Sequence, residues 1–108
     1  MKKLIVFASG SGSNFREIYF NTLNKTIKDT KIELLVSDKS KSGAAMFANE
    51  HNIDTLIINK LFFPDECDLV TSLEQTMLNI NPDLVCLSGY LKLLPKNITD
   101  KFKNKIIN

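Results

Sequence analysis

The sequence has little of what metal sites, disulfide scaffolds and histidine-based catalysis require. Its 108 residues include one histidine, His51, and two cysteines, Cys67 and Cys86. The cysteines lack the spacing of metal ligands and no Cys/His cluster accompanies them, which argues against a zinc site or a Ser-His-Asp triad within the chain. Both cysteines are predicted to be reduced thiols of a cytoplasmic protein.

Long apolar runs and an excess of one charge are also missing. The apolar run from Leu4 to Ala8 is far shorter than the roughly 20 residues that span a bilayer, and it is too short for a signal peptide. With 14 basic and 12 acidic residues the net charge is +2, which indicates no nucleic-acid or membrane partner. The length is that of one domain.

What the sequence does have is an alternation of short apolar runs with amphipathic segments. It predicts strands over 3–8, 32–37, 53–58 and 84–87, a fifth strand from 106, and helices over 13–25, 43–51, 65–79 and 95–102. Strands that are apolar on both faces and alternate with helices are typical of a parallel sheet covered on both sides. The prediction is therefore an α/β fold, one doubly wound open parallel sheet over residues 1–108. Because a strand beginning at Ile106 has no room to finish at Asn108, we expect a chain cut at the start of its fifth strand.

The glycine-rich turn between the first strand and the first helix is the predicted ligand site. In open parallel sheets ligands bind at the carboxyl ends of strands, and the helix that follows offers free N–H groups and a partial positive charge. Glycines allow close backbone approach, and serine and asparagine side chains add donors. The predicted phosphate site consists of Gly10, Ser11, Gly12, Ser13 and Asn14. The alternative is a plain turn in which Ser13 caps the helix.

The same turn departs from both common nucleotide motifs. A P-loop needs a Lys-Ser/Thr pair after its second glycine, where this chain has Ser13-Asn14. A dinucleotide fingerprint needs a third glycine where Phe15 stands, although Asp38 could stand in for the ribose-binding acid. A phosphomonoester on a small substrate therefore fits better than either nucleotide.

Four segments together resemble the phosphoribosylglycinamide formyltransferase family, the folate-dependent enzymes of purine synthesis. They are Gly10-Ser11-Gly12-Ser13-Asn14, Val36-Ser37-Asp38-Lys39, the run from Pro82 to Leu94, and Ile106-Ile107-Asn108, which is similar to the start of the family's Asn-x-His-Pro segment. The resemblance spans the chain in order and implies a Rossmann-like formyltransferase fold, of which this chain would be the N-terminal, substrate-binding part.

The resemblance implies a role for each matching residue. Gly12, Ser13 and Asn14 would hold the phosphate of phosphoribosylglycinamide, and Asn108 would be the catalytic asparagine that donates to the formyl oxygen. The co-substrate 10-formyltetrahydrofolate would be contacted by Leu91, Lys92, Leu93 and Leu94. The family's reaction is direct attack of the substrate amine on the formyl carbon, with neither a covalent enzyme intermediate nor a metal.

Several residues differ from the family's pattern. Lys92 stands where arginine is usual, which keeps the charge and loses a bidentate fork. Glu66 falls where a folate-contacting arginine is common, so that contact is not carried over. The family's catalytic histidine and aspartate would follow Asn108, and His51, expected to be an exposed helix-end residue, precedes the third strand. We therefore expect a weakly active or inactive chain.

Three other functions stay open at this point. One is a non-catalytic phosphate-ligand binding remnant. Another is a related folate-dependent formyl-transferring or deformylase enzyme, whose substrate would lack a ribose phosphate. A nicotinamide-dependent enzyme is disfavoured by Phe15. The sequence does not give the oligomeric state.

Overall fold

The computed structural model describes residues 1–24, 29–90 and 94–107, and it contains five strands and four helices in this part of the chain. In chain order they are β1 (Lys2–Ala8), α1 (Ser13–Leu23), β2 (Thr30–Ser37), α2 (Gly43–Glu50), β3 (Thr55–Ile57), α3 (Glu66–Ile80), β4 (Leu84–Ser88), α4 (Lys96–Lys101) and β5 (Ile106–Ile107). The alternation predicted from the sequence is confirmed.

The strands form one parallel sheet in the order β3-β2-β1-β4-β5. The chain first moves from β1 outward to β2 and β3, and then returns to the other side of β1 with β4 and β5. Strand order therefore reverses between β1 and β4. Connections leave opposite faces of the sheet at such a point, which opens a crevice at the carboxyl ends of these two strands.

Alternate residues of the strands build two separate cores, one on each face of the sheet. On one face Ile5 and Phe7 of β1 pack with Leu73 and Met77 of α3 and with Ile98 of α4. On the other face the remaining buried side chains of β1 pack against α1 and α2. That core contains Leu4, Val6, Ala8, Phe15, Ile32, Leu35, Ala44, Ala45 and Ala48. The three small alanines let α2 lie close to the sheet.

A bulge in β2 explains why its apolar run does not alternate regularly. Leu4 of β1 pairs with Ile32, but the next residue, Ile5, pairs with Leu34, so Glu33 is an extra residue in β2. Ile32 and Leu35 consequently point into the same core although they are three positions apart. The bulge leaves Glu33 half-buried at a position where a regular strand would drive its carboxylate into one of the cores.

Two leucine side chains on the helices are exposed. Leu23, at the end of α1, is 60% exposed and Leu78, near the end of α3, is 42% exposed. On their face of the sheet, α1 and α2 cover β1, β2 and β3 but leave β4 and β5 largely uncovered. Leu84 of β4 and Ile107 of β5 are therefore also exposed. None of the helices in the described ranges is both long enough and apolar enough to cross a membrane.

Candidate active site

The loop from Ser9 to Gly12 joins β1 to α1 at the carboxyl edge of the sheet, beside the crevice between β1 and β4. β1 is the central strand and is buried from Leu4 to Ala8, so the start of this loop is fixed by the core. The structure thus places the predicted phosphate-binding segment, Gly10 to Asn14, at the switch point of strand order.

Two glycines are needed because the loop packs directly on the start of α2. A Cβ added to Gly12 would lie 2.6 Å from the Cα of Ala44, and Gly12 also has a φ of +75°. A Cβ added to Gly43 would lie 2.4 Å from the carbonyl oxygen of Ser11. Sequence reasoning identified Gly12 and missed Gly43, since the contact joins two segments that are distant along the chain. A glycine at the first position of a predicted helix was the available signal.

Three carbonyl groups of the loop are hydrogen-bonded by the two helices on this face. The carbonyl oxygen of Gly10 accepts from the N–H of Ala44 (3.3 Å), that of Ser11 from the side chain of Arg16 (3.2 Å), and that of Gly12 from the N–H of Arg16 (2.9 Å). The described peptide bonds are all trans, so each N–H of Ser11, Gly12 and Ser13 points away from the carbonyl group of the residue before it. In the described part of the chain these three donors have no backbone partner.

The amino end of α1 is also left open. Gly12 is the N-cap, no side chain bonds the free N–H groups, and the first turn carries no acidic residue. Ser13 is therefore the first helical residue, and the alternative in which it caps the helix is wrong. By contrast, α3 is closed at its start by Asp65, whose Oδ1 accepts from the N–H of Cys67 (2.8 Å). The uncapped N–H groups and the helix dipole make the start of α1 suited to an anion.

Two cavities flank the carboxyl end of β4, one on each face of the sheet. The first is a groove of about 330 Å³ that lies beside the start of α1. It is lined by Asn14, Glu17, Ile18, Asn21, Cys86, Leu87, Ser88 and Gly89. The second, of about 290 Å³, lies on the α3 side and is lined by Ile58, Asn59, Lys60, Phe63, Pro64, Glu66, Leu69, Val70, Tyr90 and Pro95. Gly89 lines the first cavity and Tyr90 the second, so both cavities reach the carboxyl end of β4.

Tyr90 is the titratable residue that burial perturbs most strongly at this edge. Its ring packs edge-on against Phe7, with the ring centroids 5.3 Å apart. Burial, and then the nearby Asp38 carboxylate, raise the pKa of Tyr90 to about 12, so its hydroxyl stays protonated and can donate a hydrogen bond. Burial also raises the pKa of the Cys86 thiol, which disfavours the thiolate that a cysteine nucleophile needs.

The remaining predicted site residues are only partly described. Leu94 is half-buried and packs against the core on the α3–α4 face, next to the second cavity. Leu91, Lys92, Leu93 and Asn108 lie outside the described residues. Both cysteines are free thiols, with Cys67 exposed. Among the side chains that the structure describes, no three His, Cys, Asp or Glu groups converge on a position for a metal ion.

The lone histidine lies at the other end of α2 from the loop. His51 is the C-cap of that helix, as the sequence predicted, but it is half-buried rather than exposed. Its ring stacks on Phe47 with centroids 4.0 Å apart, and its Nδ1 lies 2.9 Å from the carbonyl oxygen of Phe47. The imidazole is thus held away from the crevice.

The comparison with known families agrees with this geometry. A family model described as formyl transferase matches residues 2–108. The chain belongs to the formyl transferase family. The parallel sheet in the order 3-2-1-4-5 is the fold of solved members, as in glycinamide ribonucleotide transformylase 1 from Geobacillus kaustophilus, with a TM-score of 0.86 and 25% identity.

Alignments with other relatives show how much of their length this formyl transferase chain covers. It is 37% identical over 113 residues to a chloroplastic phosphoribosylglycinamide formyltransferase from Vigna unguiculata, covering 99% of this chain and 34% of that protein. The Geobacillus alignment covers 98% of this chain and 56% of the other. A formyltetrahydrofolate deformylase from Pseudomonas putida has a TM-score of 0.82 at 14% identity, covers 97% of this chain and 36% of that one, and shows the same fold. The chain thus spans between a third and a little over half of these relatives.

Proposed function

We propose that this formyl transferase chain forms the substrate-binding part of a phosphoribosylglycinamide formyltransferase, which transfers a formyl group from 10-formyltetrahydrofolate to the amine of phosphoribosylglycinamide. The observation that carries the proposal is the loop from Gly10 to Asn14. Its carbonyl groups at Gly10, Ser11 and Gly12 are hydrogen-bonded, while the N–H groups of Ser11, Gly12 and Ser13 have no backbone partner among the described residues. A deformylase acting on the folate alone would have no use for such an anion site.

The phosphate of the acceptor substrate is assigned to this loop. The donors available there are the N–H groups of Ser11, Gly12 and Ser13, the uncapped start of α1, and the exposed side chains of Ser11, Ser13 and Asn14. Each donor to a charged acceptor contributes about 1.5–3 kcal/mol when it is well aligned. The groove beside Asn14 then has room for the rest of the acceptor, along α1 toward Ser88.

The formyl folate is assigned to the cavity on the other side of β4. Its floor is apolar, with Ile58, Leu69 and Val70, and it suits an aromatic ring system. The residues that follow Tyr90 are Leu91 to Leu94, which the resemblance to the family assigns to the folate. Since both cavities reach the end of β4, at Gly89 and Tyr90, the amine of one substrate and the formyl carbon of the other would come together there.

In the proposed reaction the amine nitrogen of the acceptor bonds to the formyl carbon, the bond from that carbon to the folate nitrogen breaks, and a proton passes from the amine to the folate. Asn108, by resemblance, donates to the formyl oxygen as negative charge develops there. One such donor is worth roughly 3–4 kcal/mol of barrier in other acyl transfers. The raised pKa of Cys86 is consistent with direct transfer rather than a thioester.

The proposal predicts that Asn14→Asp weakens binding of phosphoribosylglycinamide at least about ten-fold, because a carboxylate would face the phosphate. The same change places an acid in the first turn of α1, where it favours the helix, so the melting temperature should not fall. Isothermal titration calorimetry and thermal unfolding measure the two effects. Asn97→Asp, in the first turn of α4, is the matched control and should leave the affinity unchanged.

Calorimetry on the unmodified chain separates the proposed function from its alternatives. The proposed function is supported if the chain binds phosphoribosylglycinamide and does not bind the same compound lacking its phosphate. Binding of 10-formyltetrahydrofolate without any phosphate-ester binding would favour a deformylase-type function instead. Binding of the phosphate ester without the folate would favour a non-catalytic phosphate-binding protein.

A further inference from the structure

All but one of the basic residues apart from His51 are lysines, and the one arginine lies against the phosphate loop. The 108 residues include 13 lysines and a single arginine, Arg16. The Arg16 guanidinium donates from Nη2 to the carbonyl oxygen of Ser11 (3.2 Å). Its Cζ lies 5.7 Å from the centroid of the Phe47 ring, on α2. Arg16 therefore connects the loop to both helices of its face.

Of the three hydrogen-bonded carbonyl groups of the loop, only that of Ser11 accepts its hydrogen bond from a side chain. The carbonyl oxygens of Gly10 and Gly12 accept from backbone N–H groups of Ala44 and Arg16. The carbonyl group of the peptide between Ser11 and Gly12 packs against Gly43, and its hydrogen bond comes from the guanidinium. Because this peptide is planar and trans, rotation that breaks the bond to Arg16 would also turn the Gly12 N–H away from its present direction.

Arginine suits this position better than lysine does. The planar guanidinium can donate in its plane to the Ser11 carbonyl while its face lies over an aromatic ring, whereas an ammonium is a compact donor without such a face. The groove that holds the side chain is lined by Gly43, Met46, Phe47 and Glu50, so the guanidinium lies on the α2 side of the loop. The guanidinium donates to the Ser11 carbonyl, and the Gly12 N–H of the same peptide points away from it.

We propose that Arg16 is a positioning residue of the phosphate site: lying over the Phe47 ring, it holds the Ser11–Gly12 peptide so that the Gly12 N–H faces the phosphate ester. The proposal rests on the proposed function, because it takes the loop to be the phosphate site. In this arrangement Arg16 acts through the backbone and does not itself contact the phosphate.

The test is calorimetry with phosphoribosylglycinamide and with inorganic phosphate, together with NMR of the Gly12 amide, on the full 108-residue chain. Arg16→Met is expected to weaken phosphate-ester binding about ten-fold, the loss of one well-aligned donor to a charged group, and to shift the Gly12 amide resonance in the free protein. Phe47→Leu keeps the charge, removes the stacking, and is expected to weaken binding about three-fold. Arg16→Lys is expected to restore part of the affinity.

A charge-matched control separates positioning from general attraction. Lys31→Met, at the amino end of β2 and far from the loop, removes the same charge. If Arg16→Met binds as tightly as the unmodified chain, or no more weakly than Lys31→Met, the positioning role is wrong. If the unmodified chain binds no phosphate ester, the proposed function is wrong. If the Gly12 amide resonance is unchanged in unliganded Arg16→Met, the positioning role of Arg16 is wrong, whatever the binding result. If Arg16→Met fails to fold, Arg16→Lys and Phe47→Leu decide by the same two measurements.

Discussion

At the scale of single residues, the loop after β1 has several hydrogen-bonding groups that no other described residue satisfies. The hydroxyl of Ser9 is buried without a partner among the described residues, and the N–H groups of Ser11, Gly12 and Ser13 have no backbone partner there. Ser11 and Ser13 are exposed, so water satisfies their N–H groups in the free protein, whereas the unpaired hydroxyl of Ser9 lowers stability. A ligand with several acceptor oxygens would take the place of that water.

Tyr90 gives the residue-scale prediction on pH. Its pKa is about 12 in the folded chain and near 10 when the chain is unfolded. The stability that comes from keeping this phenol neutral is therefore fully present below pH 10 and is lost as the pH rises from 10 to about 12. Tyr90→Phe removes the group, so the variant should lose less stability over that interval than the unmodified chain does.

Two measurements check the Tyr90 prediction. Urea unfolding at pH 9 and pH 11 compares the loss of stability in the two proteins. The ultraviolet titration of tyrosine should show a late step that disappears in Tyr90→Phe and persists in Tyr19→Phe, the chain having two tyrosines. Equal losses of stability in the variant and the unmodified chain, with the late step retained, would contradict the assignment.

At the scale of secondary-structure elements, the start of α2 supports the phosphate loop. Ser42 caps this helix by accepting from the N–H of Ala45 (3.1 Å), and its hydroxyl also bonds that of buried Ser37 (3.2 Å). The next residues, Gly43 and Ala44, are the ones on which the loop packs. The position of α2 thus determines the conformation of a loop that lies more than thirty residues before it in the sequence.

Ser42→Ala is predicted to lower the free energy of unfolding by about 1–2 kcal/mol, the cost of losing a cap, and to weaken phosphate-ester binding as well. Asp65→Ala, which removes the cap of α3, has a comparable cost in stability but leaves the phosphate loop intact. Denaturant unfolding and calorimetry with phosphoribosylglycinamide measure both effects. A parallel loss of affinity in the two variants would mean that α2 does not act on the loop specifically.

The same comparison of elements shows what the sequence could predict. The order of strands and helices followed from apolar runs bounded by turn residues, and the position of the glycine-rich loop from its glycines and its place after β1. The role of this loop in phosphate binding stays a prediction. The bulge at Glu33 could not be predicted, because the run from Ile32 to Ser37 looks continuous until its pairing with β1 is known. Gly43, Arg16 and the proximity of Asp38 to Tyr90 are tertiary contacts between segments that local patterns treat separately.

At the scale of the whole molecule, the two cavities beside β4 lie close together and the one imidazole lies apart from them. His51 and the loop contact are at opposite ends of α2, and a helix of 8 residues separates its ends by about 12 Å. His51 is also held in place by Phe47 and Tyr19. It is therefore not placed to transfer a proton in the crevice.

A polypeptide of these 108 residues is accordingly predicted to bind phosphoribosylglycinamide and to transfer the formyl group slowly. General acid–base catalysis contributes roughly 10²–10⁴-fold in other enzymes, and the resemblance assigns the histidine and the aspartate of this reaction to positions after Asn108. The single-turnover rate with both substrates bound should fall short of that of a full-length relative by about this factor. His51→Asn should leave the slow rate unchanged, since the imidazole takes no part. A rate close to that of the relative, or a further drop in His51→Asn, would show that the crevice obtains its proton transfer from residues within this chain.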